Sequence, residues 1–302
     1  MEVIVKLDDF YRLIDLQSTL ELVAAGFDFV EGPVWHPTYK SLLFSDILGN
    51  SLYSWRADVG VMKRNRHSYM ANGNAYDHDG RLLTCEHATS RLTRTDLTNG
   101  TYEVLATHYQ GKQLNSPNDV IVKQDGTIYF TDPPSGRSAG YGIPREQELP
   151  FNGVYRLDPA NSELTLLIDD FAKPNGLCFS QDESLLYISD TTRQNIRVFE
   201  MLADGGLGNS RLFANLVGDK PGVADGLKID SQGNVYSCGP GGIHIFTVKG
   251  DCLGIVETPE PAANFVFGDD DLCSLYITAT TSLYRLRVNV PGVATYLPKP
   301  SG

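Results

Sequence analysis

The chain has 302 residues, 41% of them hydrophobic, and a formal net charge of -12. That length and apolar content suit one large buried core, while the acidic balance argues against nucleic acid and anionic membrane as partners. The five cysteines (Cys85, Cys178, Cys238, Cys252 and Cys273) are odd in number and form no C-x-x-C pair. They read as small, reduced residues, the first three within strands.

Residues 1–19 read as an N-terminal extension. Its apolar residues between Leu7 and Leu16 fall at a loosely helical spacing, which predicts one short helix outside the main fold. The segment has no basic stretch followed by a long apolar run, and no later segment has the length needed to cross a bilayer. A cytoplasmic location is the default expectation. Leu20 to Ala25 reads as a strand able to pair with the last C-terminal strands and remove an open sheet edge.

From residue 31 onward one grammar repeats. A carboxylate or amide residue stands just ahead of an apolar strand, a polar turn and a second strand. The six openings are Glu31 (VEGPVW), Asn72 (ANGNAYD), Asn118 (SPNDVIV), Asn175 (PNGLCFS), Asp225 (ADGLKID) and Asn264 (AANFVFG). By subtraction they lie 41, 46, 57, 50 and 39 residues apart, about the size of a four-stranded propeller blade. Third strands are visible in SLYSW (51–55), GVYRL (153–157), IRVFE (196–200), IHIF (243–246) and SLYRL (282–286). Asp79-Gly80, Asp125-Gly126 and Gly233-Asn234 suit tight hairpins. The expected fold is all-β: a six-bladed β-propeller in a single domain spanning residues 1–302, with the short helical extension at its start.

Antiparallel order returns the loop after each second strand to the end where the inner strand began. Asp46, Glu86-His87, Asp132, Asp190 and Gly239–Gly242 therefore share a face with the six openings. The longest such loop, Pro133 to Asn152, is expected to overhang the channel mouth. Recurrence of Asp46, Asp132 and Asp190 at one register suggests turn formation rather than chemistry. His244 is expected to pack within a strand, His36, His67, His78 and His108 to lie at the surface, and His87 to reach substrate.

Donors made of Glu, Asn and Asp, without His or Cys, form an oxygen cage that suits calcium or magnesium better than zinc. Glu31 and Asp225 supply two charges to balance a divalent ion, and Asn118 and Asn175 supply neutral oxygens. Four of the six openings are followed by Gly (Gly32, Gly73, Gly176, Gly226), which allows close packing around the axis. Strand alternation predicts that Asn118 rather than Asp119 faces the channel. A polar inner ring is also compatible with a binding propeller that performs no catalysis.

EGPVW, LNSPNDV, TDPP, FAKPNGL, ADGL and GPGGIHIF together resemble the gluconolactonase branch of the regucalcin (senescence marker protein) and gluconolactonase family, over the whole chain after residue 20. Ala224 departs from the Pro common before the aspartate. The resemblance implies a divalent metal, most often calcium, with magnesium, manganese or zinc as alternatives. Glu31, Asn175 and Asp225 are its implied ligands, Asn118 completes the shell or holds substrate, and Asn72 hydrogen-bonds substrate. It further implies a sugar-lactone substrate such as gluconolactone, with Asp225 or Glu31 taking a proton from the attacking water. Relatives acting on other lactones or organophosphates are the alternative within the family.

Overall fold

A computed structural model describes residues 1–65 and 67–296. Its strands form six four-stranded antiparallel sheets, with one sheet extended by a fifth strand, arranged as the blades of a propeller. The inner strands are Val30–His36, Ala71–Tyr76, Val120–Val122, Pro174–Phe179, Leu227–Ile229 and Ala262–Gly268. The predicted third strands all appear, as Ser51–Arg56, Asn152–Asp158, Asn195–Met201, Gly242–Phe246 and Ser282–Arg287, together with Arg91–Thr95 of the second blade.

Apolar residues on both faces of each sheet give the ring its core. Six hydrophobic clusters occur, one at each interface between neighbouring blades. Fully buried tyrosines (Tyr129, Tyr155, Tyr236 and Tyr276) contribute the largest side chains. Burial of each such side chain removes apolar surface from water and contributes about 1.5–3 kcal/mol before entropy is counted.

Closure is as expected: Glu21–Ala25 pairs antiparallel with Ser282–Arg287 and becomes the outer strand of the sixth blade. The expected short helix is Phe10–Leu13, but the extension does not stand outside the main fold: Val3–Val5 pairs with Cys252–Glu257 as a fifth strand of the fifth blade. Phe10, Leu13 and Ile14 are buried in the cluster between the fifth and sixth blades, so this segment is part of the propeller wall. His36 is also a correction. It is buried among the rings of Tyr39, Tyr76 and Tyr296 rather than at the surface.

Two devices lock neighbouring blades at the channel. The glycine after a donor has no Cβ, so it rests on the next blade's backbone. A Cβ on Gly32 (φ +54°) would stand 2.0 Å from the carbonyl oxygen of Asn72, and one on Gly176 would stand 2.6 Å from that of Asp225. The Ser/Thr-Asp pairs ending second strands then act in two directions. Ser45, Thr131 and Ser189 donate hydroxyl hydrogens to the carbonyls of Asn72, Asn175 and Asp225 on the following blade, at 2.7, 2.7 and 2.8 Å. The adjoining Asp46, Asp132 and Asp190 accept backbone N–H bonds from the loop entering their own blade's inner strand. The turn-forming role expected of these aspartates is what the structure has.

None of the described residues belongs to a helix long and apolar enough to cross a membrane.

Candidate active site

In the first, second and fourth inner strands the residue immediately after the first pairing step lines the channel mouth. Val30 pairs with Asp46, Ala71 with Glu86 and Pro174 with Asp190, so Glu31, Asn72 and Asn175 hold equivalent places. With Asn118, Asp225 and His87 they line one pocket of about 1080 Å³, counting its open mouth. Five of the six openings thus converge.

The sixth does not. Ala262 pairs with Ala279, which puts Ala263 at the donor register and Asn264 one residue deeper. The hydrogen bonds agree: Gly73 N–H donates to the carbonyl of Asn118 and Gly226 N–H to that of Ala263. The ring at the channel mouth therefore has five polar positions and an alanine. Asn264 instead accepts from the Lys228 ammonium at 3.3 Å, lower in the channel.

Asp119 is a further correction. Both it and Asn118 reach the channel, at different depths. The regular strand begins only at Val120, and the stretch before it lacks the two-residue alternation that would turn one side chain away. Register shifts occur at the same place in the first, second, fourth and sixth blades.

Electrostatics at the mouth are dominated by buried like charges. Burial raises the Asp225 carboxyl well above its usual range, and the Glu31 and Asp119 carboxylates raise it further. Glu31 is raised by burial and then by Asp119, against a hydrogen bond from Gly32 N–H and the field of Lys228. Asp119 is raised by burial, opposed by Lys228.

Oxygens of the same groups lack partners. Asn175 Oδ1, Asp225 Oδ1 and Asp119 Oδ2 are buried with no hydrogen bond. The Asn175 amide is oriented by its own Nδ2, which donates to Thr191 Oγ1 at 3.0 Å, and Thr191 in turn donates to the carbonyl of Ala224. Orphaned buried oxygens are costly unless a donor or cation meets them. Two carboxylates and two carboxamides form a hard donor set that fits an oxygen-preferring divalent ion. No cluster of three His, Cys, Asp or Glu with metal-binding geometry occurs among the described residues.

His87 lines the pocket with both ring nitrogens engaged. Nδ1 lies 2.8 Å from the carbonyl oxygen of Tyr141, which can only accept, so Nδ1 carries the proton. Nε2 then accepts from Asn72 Nδ2 at 3.0 Å, leaving Asn72 Oδ1 free for a ligand. Burial lowers the His87 pKa to about 4, aided by Arg145 and Lys173 and opposed by the Tyr141 bond, so the ring is neutral at pH 7. Glu86 beside it turns away to Thr89, Thr93 and Tyr102.

The 133–152 loop does overhang the mouth, contributing Ser135 and Tyr141. Two arginines pin it. Arg137 donates to the carbonyls of Leu114 and Asn115, and Arg145 to those of His87 and Gly136. The Tyr141 ring meets Phe29 edge-on at 5.2 Å. Sequence reasoning missed Tyr141, Phe29, Thr191 and Lys173 as lining residues. Only Lys173 carried a signal: it lies two positions before Asn175 in FAKPNGL.

A second cavity, of about 740 Å³, lies at the opposite channel end and is crossed by Val293–Thr295. Its lining includes Cys178, Ile121, Phe179 and Lys228, and none of the unpartnered carboxylate oxygens face it.

The family model of the SMP-30/Gluconolactonase/LRE-like region matches residues 29–281. A gluconolactonase from Zymomonas mobilis subsp. mobilis is 32% identical, the match covering 93% of this chain and 84% of that protein. The pentonolactonase XacC of Haloferax volcanii is 27% identical over 82% of this chain and 80% of its own length. Among solved structures, a gluconolactonase from Xanthomonas campestris superimposes with a TM-score of 0.87 at 35% identity, covering 95% of each chain.

Proposed function

The chain belongs to the SMP-30/gluconolactonase/LRE-like family, and from that premise we propose that it is a lactonase, acting on an aldonolactone such as gluconolactone with the help of one divalent cation, calcium first. The carrying observation is the meeting of unpartnered Asn175 and Asp225 oxygens with Glu31 and Asn118 in one pocket. The relatives named for gluconolactone and pentonolactone hydrolysis support the reaction class.

Glu31, Asn118, Asn175 and Asp225 would hold the cation, which when bound supplies Lewis acidity toward the lactone carbonyl. The chain's own groups do the rest. Asn72 Oδ1, fixed by the His87 contact, accepts from a sugar hydroxyl and sets the ring's orientation. Tyr141 and Phe29 offer an apolar wall for the opposite sugar face. Asp225, with Glu31 as its neighbour, takes the proton released as water adds to the carbonyl carbon.

The substrate reading is tested by a panel at fixed pH with calcium: a six-carbon aldonolactone, a five-carbon aldonolactone, an aliphatic lactone and a phosphotriester. Preference for the polyhydroxy lactones is expected. Faster turnover of the phosphotriester or aliphatic lactone would replace this substrate class with another.

A further inference from the structure

Among the residues lining the mouth, Lys173 carries the one fixed positive side-chain charge, since His87 is neutral and the other charged groups are Glu31 and Asp225. Its backbone is held by Asp190, whose Oδ1 accepts the Lys173 N–H at 3.2 Å while Oδ2 accepts that of Ala172 at 2.9 Å. The ammonium stands over the Tyr141 ring, 6.0 Å from its centroid. Its field reaches both Asp225 and His87, on different walls of the pocket. Lys173 therefore lines the mouth with its ammonium beside Tyr141, itself a lining residue.

We propose that Lys173 is the anion anchor of this site, binding the carboxylate that ring opening creates and so distinguishing product from substrate. The inference rests on the lactonase reading. In that reaction water oxygen bonds to the carbonyl carbon and the ring C–O bond breaks. The ring oxygen gains a proton and becomes a hydroxyl, and the new carboxylic acid gives a proton to solvent. A neutral lactone thus becomes a monoanion. Glu31 and Asp225 balance a divalent cation, which leaves the Lys173 charge as the net charge of the mouth. A fixed cation beside Asn175 matches the product and has no equal counterpart in the neutral substrate. Lys173 is a binding residue in this account, and its removal changes product affinity more than capture of a neutral polyol.

The experiment is titration calorimetry in excess calcium with gluconate and with the neutral polyol glucitol, on wild type, Lys173→Met and Lys173→Arg. Gluconate affinity is expected to fall about tenfold in Lys173→Met and to return within about threefold of wild type in Lys173→Arg. Glucitol affinity is expected to stay unchanged. Lys173→Gln serves if the Met variant does not fold. Equal gluconate affinity in wild type and Lys173→Met, or an equal loss for glucitol, overturns the inference. Lactone turnover is assayed on the same samples. Absent turnover with the gluconate difference intact defeats the lactonase reading alone, whereas normal turnover with no gluconate difference defeats only the anchor.

Discussion

The Asn72 amide donates to His87 Nε2 at 3.0 Å, while His87 Nδ1–H donates to the carbonyl of Tyr141 at 2.8 Å. This bridge ties the second blade's donor to the long loop over the mouth, through a ring that exists in one tautomer. Protonating His87 would place two donors face to face and break it.

The pH consequence follows from the sign of the shift. His87 sits near 4 in the folded protein against an ordinary value of 6.5, so the unfolded chain binds its proton first as pH falls. The stabilisation is complete above 6.5 and is lost progressively down to about 4, on the order of 3 kcal/mol for this group. Urea denaturation of wild type and His87→Gln at pH 7 and pH 4.5 checks it. The wild type is expected to lose more stability across that window than the variant. Parallel losses would remove His87 as the source.

The inter-blade glycines are predicted to tolerate no side chain. Gly32→Ala brings a Cβ onto the Asn72 carbonyl at a left-handed φ, and Gly176→Ala presses on that of Asp225. Each is expected to cost more than about 2 kcal/mol, because backbone rather than a movable side chain is in the way. Gly140→Ala, which meets nothing within 4 Å, is the control and is expected to be near neutral. Thermal melting of the three variants reads the contrast.

Removing a buried charge should act oppositely with and without the cation. Asp225 is held among like charges in the unloaded protein. Asp225→Asn is therefore expected to melt no lower than wild type in chelator at pH 8. With calcium at about a hundredfold excess over its dissociation constant, wild type should gain about 2.7 kcal/mol and the variant little. A variant that is destabilised in chelator and still responds to calcium would argue that Asp225 is not a ligand.

Much of this architecture was legible because the repeats are physical. Glu31, Asn72, Asn175 and Asp225 are each followed by a glycine that the channel demands, so register and spacing agreed. Asn264 has no such glycine, and with Ala263 beside it the slip by one residue was invisible without the Ala262–Ala279 pairing. Asp119 was misjudged because alternation holds only within regular strand, and the strand starts one residue later. Tyr141 reaches the pocket through a 20-residue loop whose path is set by Arg137 and Arg145, contacts distant in sequence. Ser45, Thr131 and Ser189 were in plain view beside the recurring aspartates, but their partners lie on the next blade. His36 looked exposed because its three tyrosines are scattered along the chain.

Hydrolysis of a sugar lactone at a cation held by Glu31, Asn118, Asn175 and Asp225 can be tested in one assay. Glucono-1,5-lactone hydrolysis is followed with a pH indicator on chelator-stripped protein, then after resupply of calcium, magnesium, manganese or zinc, with Asp225→Ala alongside. Activity is expected to be lost on stripping, to return with calcium foremost, and to be absent in the variant. Folded protein that is silent with every ion, turnover that survives stripping, or turnover that persists in Asp225→Ala would contradict hydrolysis at this site.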